Sequence, residues 1–200
     1  MKDPRSPPRR GRPTTFNKVD VTQIAMRAYW EIGPTDVSLN AICKKAGVSK
    51  PSVYREFGNE DGLSCAALEN YAQHVLGKVL AILVGKDSFA HKIRQVAFMA
   101  AQDATHDHGC LFVKMRAAKA QMGKNTQALI VAMDGMAIDA YAKLMKEAQD
   151  TGEWTSDIPI HTAAEFLHAQ IGLALDRRAR GEDPGAVLSL ALSVLGRDLE

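Results

Sequence analysis

Lys50, Ser52, Tyr54 and Arg55 lie within one short stretch and alternate with the apolar Val53 and Phe57. A helix entering the major groove of DNA must bury one face on a supporting helix. Its other face must present short polar or cationic side chains to base edges and phosphates. This spacing does both, with Val53 and Phe57 four residues apart on the inward side. A second cluster, His106, His108 and Cys110 in HDHGC, has the donor types of a metal site. Donors at alternate positions converge only in an extended loop, however, and no fourth ligand is evident. The third is the arginine-rich start, MKDPRSPPRRGRPTT, whose Arg5, Arg9, Arg10 and Arg12 suit a polyanion. No nucleotide-binding loop, nucleophile elbow or zinc-protease motif occurs, so neither an enzymatic activity nor a cofactor is expected.

The elements that must position these residues are helices. Val21, Ile24, Ala25, Ala28, Tyr29 and Ile32 follow helical spacing and stop at Gly33-Pro34. Ser38 can cap a second, short helix with Leu39, Ile42, Cys43 and Ala46 on its apolar face, ending at Gly47. Ser49 can cap a third, with Pro51 tolerated in its first turn. Two short helices joined by a glycine turn form a helix-turn-helix, and the small Cys43 lets them cross closely. Beyond residue 60 no stretch alternates with period two. Helices are expected over about 61–84, 88–105, 109–121, 125–151, 160–180 and 184–198.

Bulk composition is that of an ordinary globular protein: 200 residues, 46% hydrophobic and 24% charged, with a net charge of +2. That total conceals a split. Through Phe57 there are eleven Lys and Arg against five Asp and Glu; the remainder has fourteen against eighteen. A basic module that meets a polyanion is thus followed by an acidic module with another task. No run approaches the roughly 18 apolar residues of a membrane span, so no membrane association is expected. Three cysteines without CxxC spacing, Cys43, Cys65 and Cys110, suit reduced thiols, and the expected location is the cytoplasm.

The run VSLNAICKKAGVSKPSVYREFGNEDGL, with its Ala-Gly-Val-Ser turn and Tyr-x-x-Phe ending, closely resembles the helix-turn-helix of the TetR family of bacterial repressors. The helix from Val21 to Ile32 resembles the family's first helix, and GCLFV at 109–113 a segment of its ligand-binding domains. GEWTSDIP and EFLHAQIGLALDRRARG are similar to its penultimate helix and the loop before it. The resemblance implies an all-α fold of about nine helices in three parts. These are a flexible basic arm (1–15), a three-helix DNA-binding domain (16–60) and a larger helical ligand-binding and dimerisation domain (61–200).

It further implies Ser38 and Tyr54 on phosphates, with Asn40, Lys50, Pro51 and Ser52 toward base edges. The partners it implies are a double-stranded operator, a small-molecule effector and a second copy of the chain. One departure stands out. Where the family usually carries a lysine three residues after the motif phenylalanine, this chain has Glu60, followed by Asp61. A carboxylate facing phosphate is repelled unless it turns away. Glu56 raises the same question, although a glutamate can accept from a cytosine amino group. The arm's Arg-Gly-Arg-Pro core resembles AT-hook minor-groove binders, which places Arg9, Arg10 and Arg12 among the DNA-binding candidates.

The sequence supports the second domain independently. Phe98, Met99, Phe112, Met115, Met133, Met136, Tyr141 and Phe166 can line an apolar cavity, with Gln102, Asp134, His168 and Gln170 as polar handles. Phe166, Leu167, Ile171 and Leu175 on one helix, with Val187, Leu190, Val194 and Leu195 on the next, are apolar over broad arcs. Helices of that kind need two partners, as in a four-helix dimer bundle. The expected function is a palindrome-binding dimeric repressor released by its effector. The alternatives are a small all-α metal enzyme using HDHGC, or an architectural DNA-binding protein acting through its arm.

Overall fold

The computed structural model describes residues 16–196; the arm, with Arg5, Arg9, Arg10 and Arg12, lies outside them. Every regular element among the described residues is helical: α1 (Lys18–Glu31), α2 (Leu39–Ala46), α3 (Lys50–Phe57), α4 (Glu60–Tyr71), α5 (Gly77–Leu83), α6 (Phe89–Gln102), α7 (Leu111–Ala117), α8 (Lys124–Asp150), α9 (Ile160–Ala179) and α10 (Gly185–Leu195). A π-helical turn, Ala72–Leu76, joins α4 to α5 in one continuous rod, so the described residues form nine rods. Two short 3-10 turns, Ala104–His106 and Lys119–Gln121, flank α7.

Local chemistry sets the boundaries of the helix-turn-helix. The Ser38 hydroxyl accepts from the Ala41 amide at 3.2 Å and so starts α2. At its end Gly47 sits at φ 65°, a left-handed conformation that glycine takes without cost, and the Val48 amide closes back on the Cys43 carbonyl at 3.0 Å. Ser49 then caps α3, its hydroxyl accepting from the Ser52 amide at 3.3 Å. Val53 is fully buried and Cys43 nearly so. Both of these small side chains belong to one core.

Two principal cores hold the chain. The first is continuous from Val21, Ala25 and Tyr29 of α1 through Ile42 and Val53 to Leu63, Leu68 and Tyr71 of α4, and on to Leu111, Met115 and Ile130. It runs across residue 60 without interruption. The second packs Phe89, Ile93, Tyr141, Met145, Trp154, Leu167 and Leu195. Trp154 pins the end of α10, its indole N–H donating to the Leu195 carbonyl at 2.7 Å.

Three of the residues expected at a dimer interface, Leu167, Leu175 and Leu195, are buried inside this chain's own cores, because α9 lies between α8 and α10 and spends its inner face there. Phe166 and Ile171 pack against the cores half-buried, and Val187 is half-buried too. The apolar surface left outward is Leu173, Leu190 and Val194, with Leu190 at 65% exposure. Among the described residues no helix is long and apolar enough to cross a membrane.

Candidate functional site

On the outer side of the helix-turn-helix, Ser38, Asn40, Pro51, Tyr54 and Arg55 are exposed and Lys50 and Ser52 half-buried. The hydroxyls of Ser38 and Ser52 are not idle. Ser38 caps α2, and the Ser52 hydroxyl lies 2.8 Å from that of Ser49. Glu60, at the start of α4, reaches back to α3. One of its carboxylate oxygens accepts from the Tyr54 hydroxyl at 3.1 Å and lies 3.3 Å from Lys50 Nζ. That ammonium sits 5.3 Å from the centre of the Tyr54 ring, and Tyr54 first, then Glu60, holds its pKa above the ordinary lysine value. Arg55 is met by Glu56 at 3.6 Å, both well exposed. The two acidic residues flagged in the sequence therefore each contact a cation of α3.

Asp61 turns the other way. Its carboxylate accepts from the backbone amides of Asn125 (2.9 Å) and Thr126 (3.0 Å) and from the Thr126 hydroxyl (2.6 Å) at the start of α8. Gly123 in the cap position has no side chain to do this, so a residue 62 positions earlier supplies the cap. Burial works against its charge, but these hydrogen bonds outweigh it and hold the carboxyl below the usual range.

A cavity of about 310 Å³ lies in the second part of the chain. Its walls come from Leu76, Val79 and Leu83 on one rod, Val96 and Met99 of α6, Phe112 and Arg116 of α7, Met133, Met136 and Tyr141 of α8, and His168, Ile171 and Gly172 of α9, closed by His106 and Cys110. Of the sequence's pocket candidates, Met99, Phe112, Met133, Met136, Tyr141 and His168 reach this wall. Phe98 and Gln102 are exposed on the outer face of α6, Met115 is sealed in the first core, and Phe166, Gln170 and Asp134 are not in the wall.

Arg116 went unnoticed in the sequence. It stands four residues after Phe112, so the helix face that carries one carries the other, and that spacing could have found it. Its Nη1 donates to Asp134 Oδ1 at 2.9 Å and lies 3.0 Å from His168 Nε2, which is 2.9 Å from the same Asp134 oxygen. The guanidinium also lies over the Phe112 ring at 5.7 Å. Gly172 gives it room, since a Cβ there would stand 2.7 Å from Nη2. His106 is buried, which lowers its pKa and keeps it neutral, and its Nδ1 has no partner among the described residues. His108 is exposed while Cys110 is buried, so HDHGC does not converge. Among the described residues no three His, Cys, Asp or Glu side chains are grouped to hold a metal.

The turn that closes the cavity also grips the first helix. The Trp30 indole donates to the Gly109 carbonyl at 2.8 Å, and Lys114 Nζ donates to the Trp30 carbonyl at 2.6 Å. Trp30 meets Tyr71 edge-on at 4.8 Å, and the Tyr71 hydroxyl donates to the Cys110 sulfur at 3.2 Å.

Against known proteins, residues 22–66 match the family model described as bacterial regulatory proteins, tetR family. Over this helix-turn-helix region the chain is similar to the TetR family. The curated HTH-type transcriptional repressor ComR of Escherichia coli (strain K12) is 33% identical over 69 residues, 34% of this chain and 33% of that repressor. The chain thus matches about a third of the length of this curated relative. Among solved structures, a cysteine mutant of the TetR family transcriptional regulator CifR, complexed with 26 bp double-strand operator DNA, is 22% identical at a TM-score of 0.72, covering 92% of this chain and 98% of that one. The regulatory protein TetR from Rhodobacter sphaeroides is 23% identical at a TM-score of 0.76, covering 90% and 97%. At these identities the likeness to both structures is one of fold, and it spans nearly the whole chain.

Proposed function

We propose that this chain is a dimeric TetR-family repressor whose α3 reads a palindromic operator and whose cavity takes a small effector that releases it. The observation that carries the reading is the double use of residues 109–114. They wall the cavity through Cys110, Phe112 and Val113, and hold the end of α1 through Gly109 and Lys114. An occupant of the cavity and the orientation of the helix-turn-helix therefore act on the same segment. Release requires the effector to bind one arrangement of this segment better than the other, because equal affinity shifts nothing.

On the DNA side, Lys50, Tyr54 and Arg55 meet phosphates or base edges. Asn40, Pro51 and Ser52 lie toward bases, Ser38 toward phosphate, and Arg9, Arg10 and Arg12 of the arm contact the minor groove. The second copy packs on Leu173, Leu190 and Val194, placing two recognition helices one DNA turn apart. The operator bound by CifR in its solved complex is consistent with this reading.

The deciding experiment is selection of bound DNA from a random pool using the full chain. Enrichment of a two-fold symmetric site is expected; enrichment of no two-fold site overturns the proposal. Removing residues 1–13 is then expected to weaken binding to the enriched site and to flatten its salt dependence.

A further inference from the structure

The cavity has one polar corner in an otherwise apolar wall, and that corner is already balanced in charge. Arg116 is neutralised by Asp134, with His168 completing the set. The facing surfaces are Leu, Val, Met, Phe and Tyr side chains, and the buried His106 is neutral. A carboxylate entering this space would have to take Arg116 from Asp134, leaving that residue uncompensated. An ammonium would find no free anion, since Asp134 is already shared by two partners.

Arg116 nevertheless keeps donors in hand. Both of its contacts use Nη1, whereas Nε and Nη2 have no partner among the described residues and neither is sealed from solvent. The guanidinium is also held in place before any ligand arrives, by Asp134 and by the Phe112 ring, in the space that the absent Gly172 side chain leaves. A fixed, charge-compensated donor at the end of an apolar chamber recognises a neutral acceptor oxygen.

On the reading of this cavity as the effector site, we propose that it takes an uncharged, largely apolar small molecule carrying a carbonyl-type acceptor oxygen, which accepts from Arg116. The volume, about 310 Å³, lies at the small end of ligand cavities, which run roughly 300–1,000 Å³, so a ligand of one or two rings is accommodated.

The test uses four probes of matched shape, titrated calorimetrically into the full-length protein without DNA: naphthalene, 2-acetylnaphthalene, 2-naphthoate and 2-naphthylmethylammonium. The ketone is expected to bind about tenfold more tightly than naphthalene, as one hydrogen bond to a charged donor allows, and both ions more weakly than the ketone. In Arg116→Met the ketone's advantage over naphthalene disappears while naphthalene still binds. In Asp134→Asn, which frees the guanidinium charge, the order inverts and 2-naphthoate becomes the tightest. Circular dichroism melts confirm that each variant is folded.

Tightest binding of either ion by the unaltered protein, equal binding of ketone and naphthalene, or binding of none of the four overturns the proposal. So does an order in Asp134→Asn unchanged from the unaltered protein. Because binding is read without DNA, ketone binding that leaves the enriched operator bound would keep this ligand chemistry and remove the release mechanism instead.

Discussion

Glu60 and Asp61 are adjacent carboxylates with opposite allegiances. Glu60 lies between Lys50 and Tyr54, where the proposed function puts a phosphate oxygen. Glu60→Gln removes a competitor for Lys50 and a repulsive charge. It is expected to tighten operator binding about two- to fivefold, in keeping with an exposed ion pair, and to steepen the salt dependence by about one; fluorescence anisotropy over a salt series reads both. Asp61 is a stability residue. Its folded pKa lies below the unfolded value of about 3.9, so its contribution is present above that pH and lost as pH falls through the folded value. Asp61→Ala is expected to cost about 1–2 kcal/mol at pH 7, and less as the pH is lowered past about 4, in chemical denaturation. His106 acts in the same direction at higher pH. Its folded pKa is depressed, so the folded state loses stability as pH falls below about 6.5, and His106→Leu is expected to flatten the melting temperature between pH 7 and 5. Sequence alone flagged Glu60 by comparison with the family. It could not show that the carboxylate would turn back on α3 while its neighbour crossed to α8, because that choice depends on where α8 begins in space.

At the level of elements, the sequence reported most where local chemistry decides. Ser38, Gly47, Ser49 and Pro51 each have a short-range reason to stand where they do, and α2 and α3 form between them as the spacing requires. It reported less where a face has to be assigned a partner. Phe98 and Met115 are both large and apolar, yet one faces out at 59% exposure and the other is fully enclosed. Periodicity gives a stripe, not the identity of what lies opposite. The same holds for α9, whose apolar arc divides between its own core and the surface. The clamp of Trp30 on the 109–114 turn was equally illegible, joining residues 79 and 84 positions apart through backbone carbonyls that no sequence pattern marks. Trp30→Phe keeps most of the packing on Tyr71 and removes the indole donor. It is expected to leave operator affinity within about threefold, while weakening the effect of a cavity ligand on that affinity; paired titrations with and without 2-acetylnaphthalene measure the difference.

For the whole molecule, the proposed second copy rests on Leu173, Leu190 and Val194, the large apolar side chains that α9 and α10 leave exposed. Leu190→Glu places a charge among them without touching either core. Sedimentation equilibrium is expected to show a monomer for this variant and a dimer for the unaltered chain, with cooperative operator binding lost alongside. The opening charge asymmetry also finds its place here, since the basic segment through Phe57 and the acidic remainder share one apolar core.

That shared core bears on how such a protein can be re-engineered. Grafting a different helix-turn-helix onto α4–α10 at residue 60 would sever Val21, Tyr29 and Val53 from Leu63, Tyr71 and Leu111, and would strip Gly109 and Lys114 of their hold on Trp30. A chimera that works must carry the complementary half of that seam with the transplanted helices. On the proposed function, DNA specificity is therefore changed far more readily by substitutions on the outer face of α3 than by swapping modules.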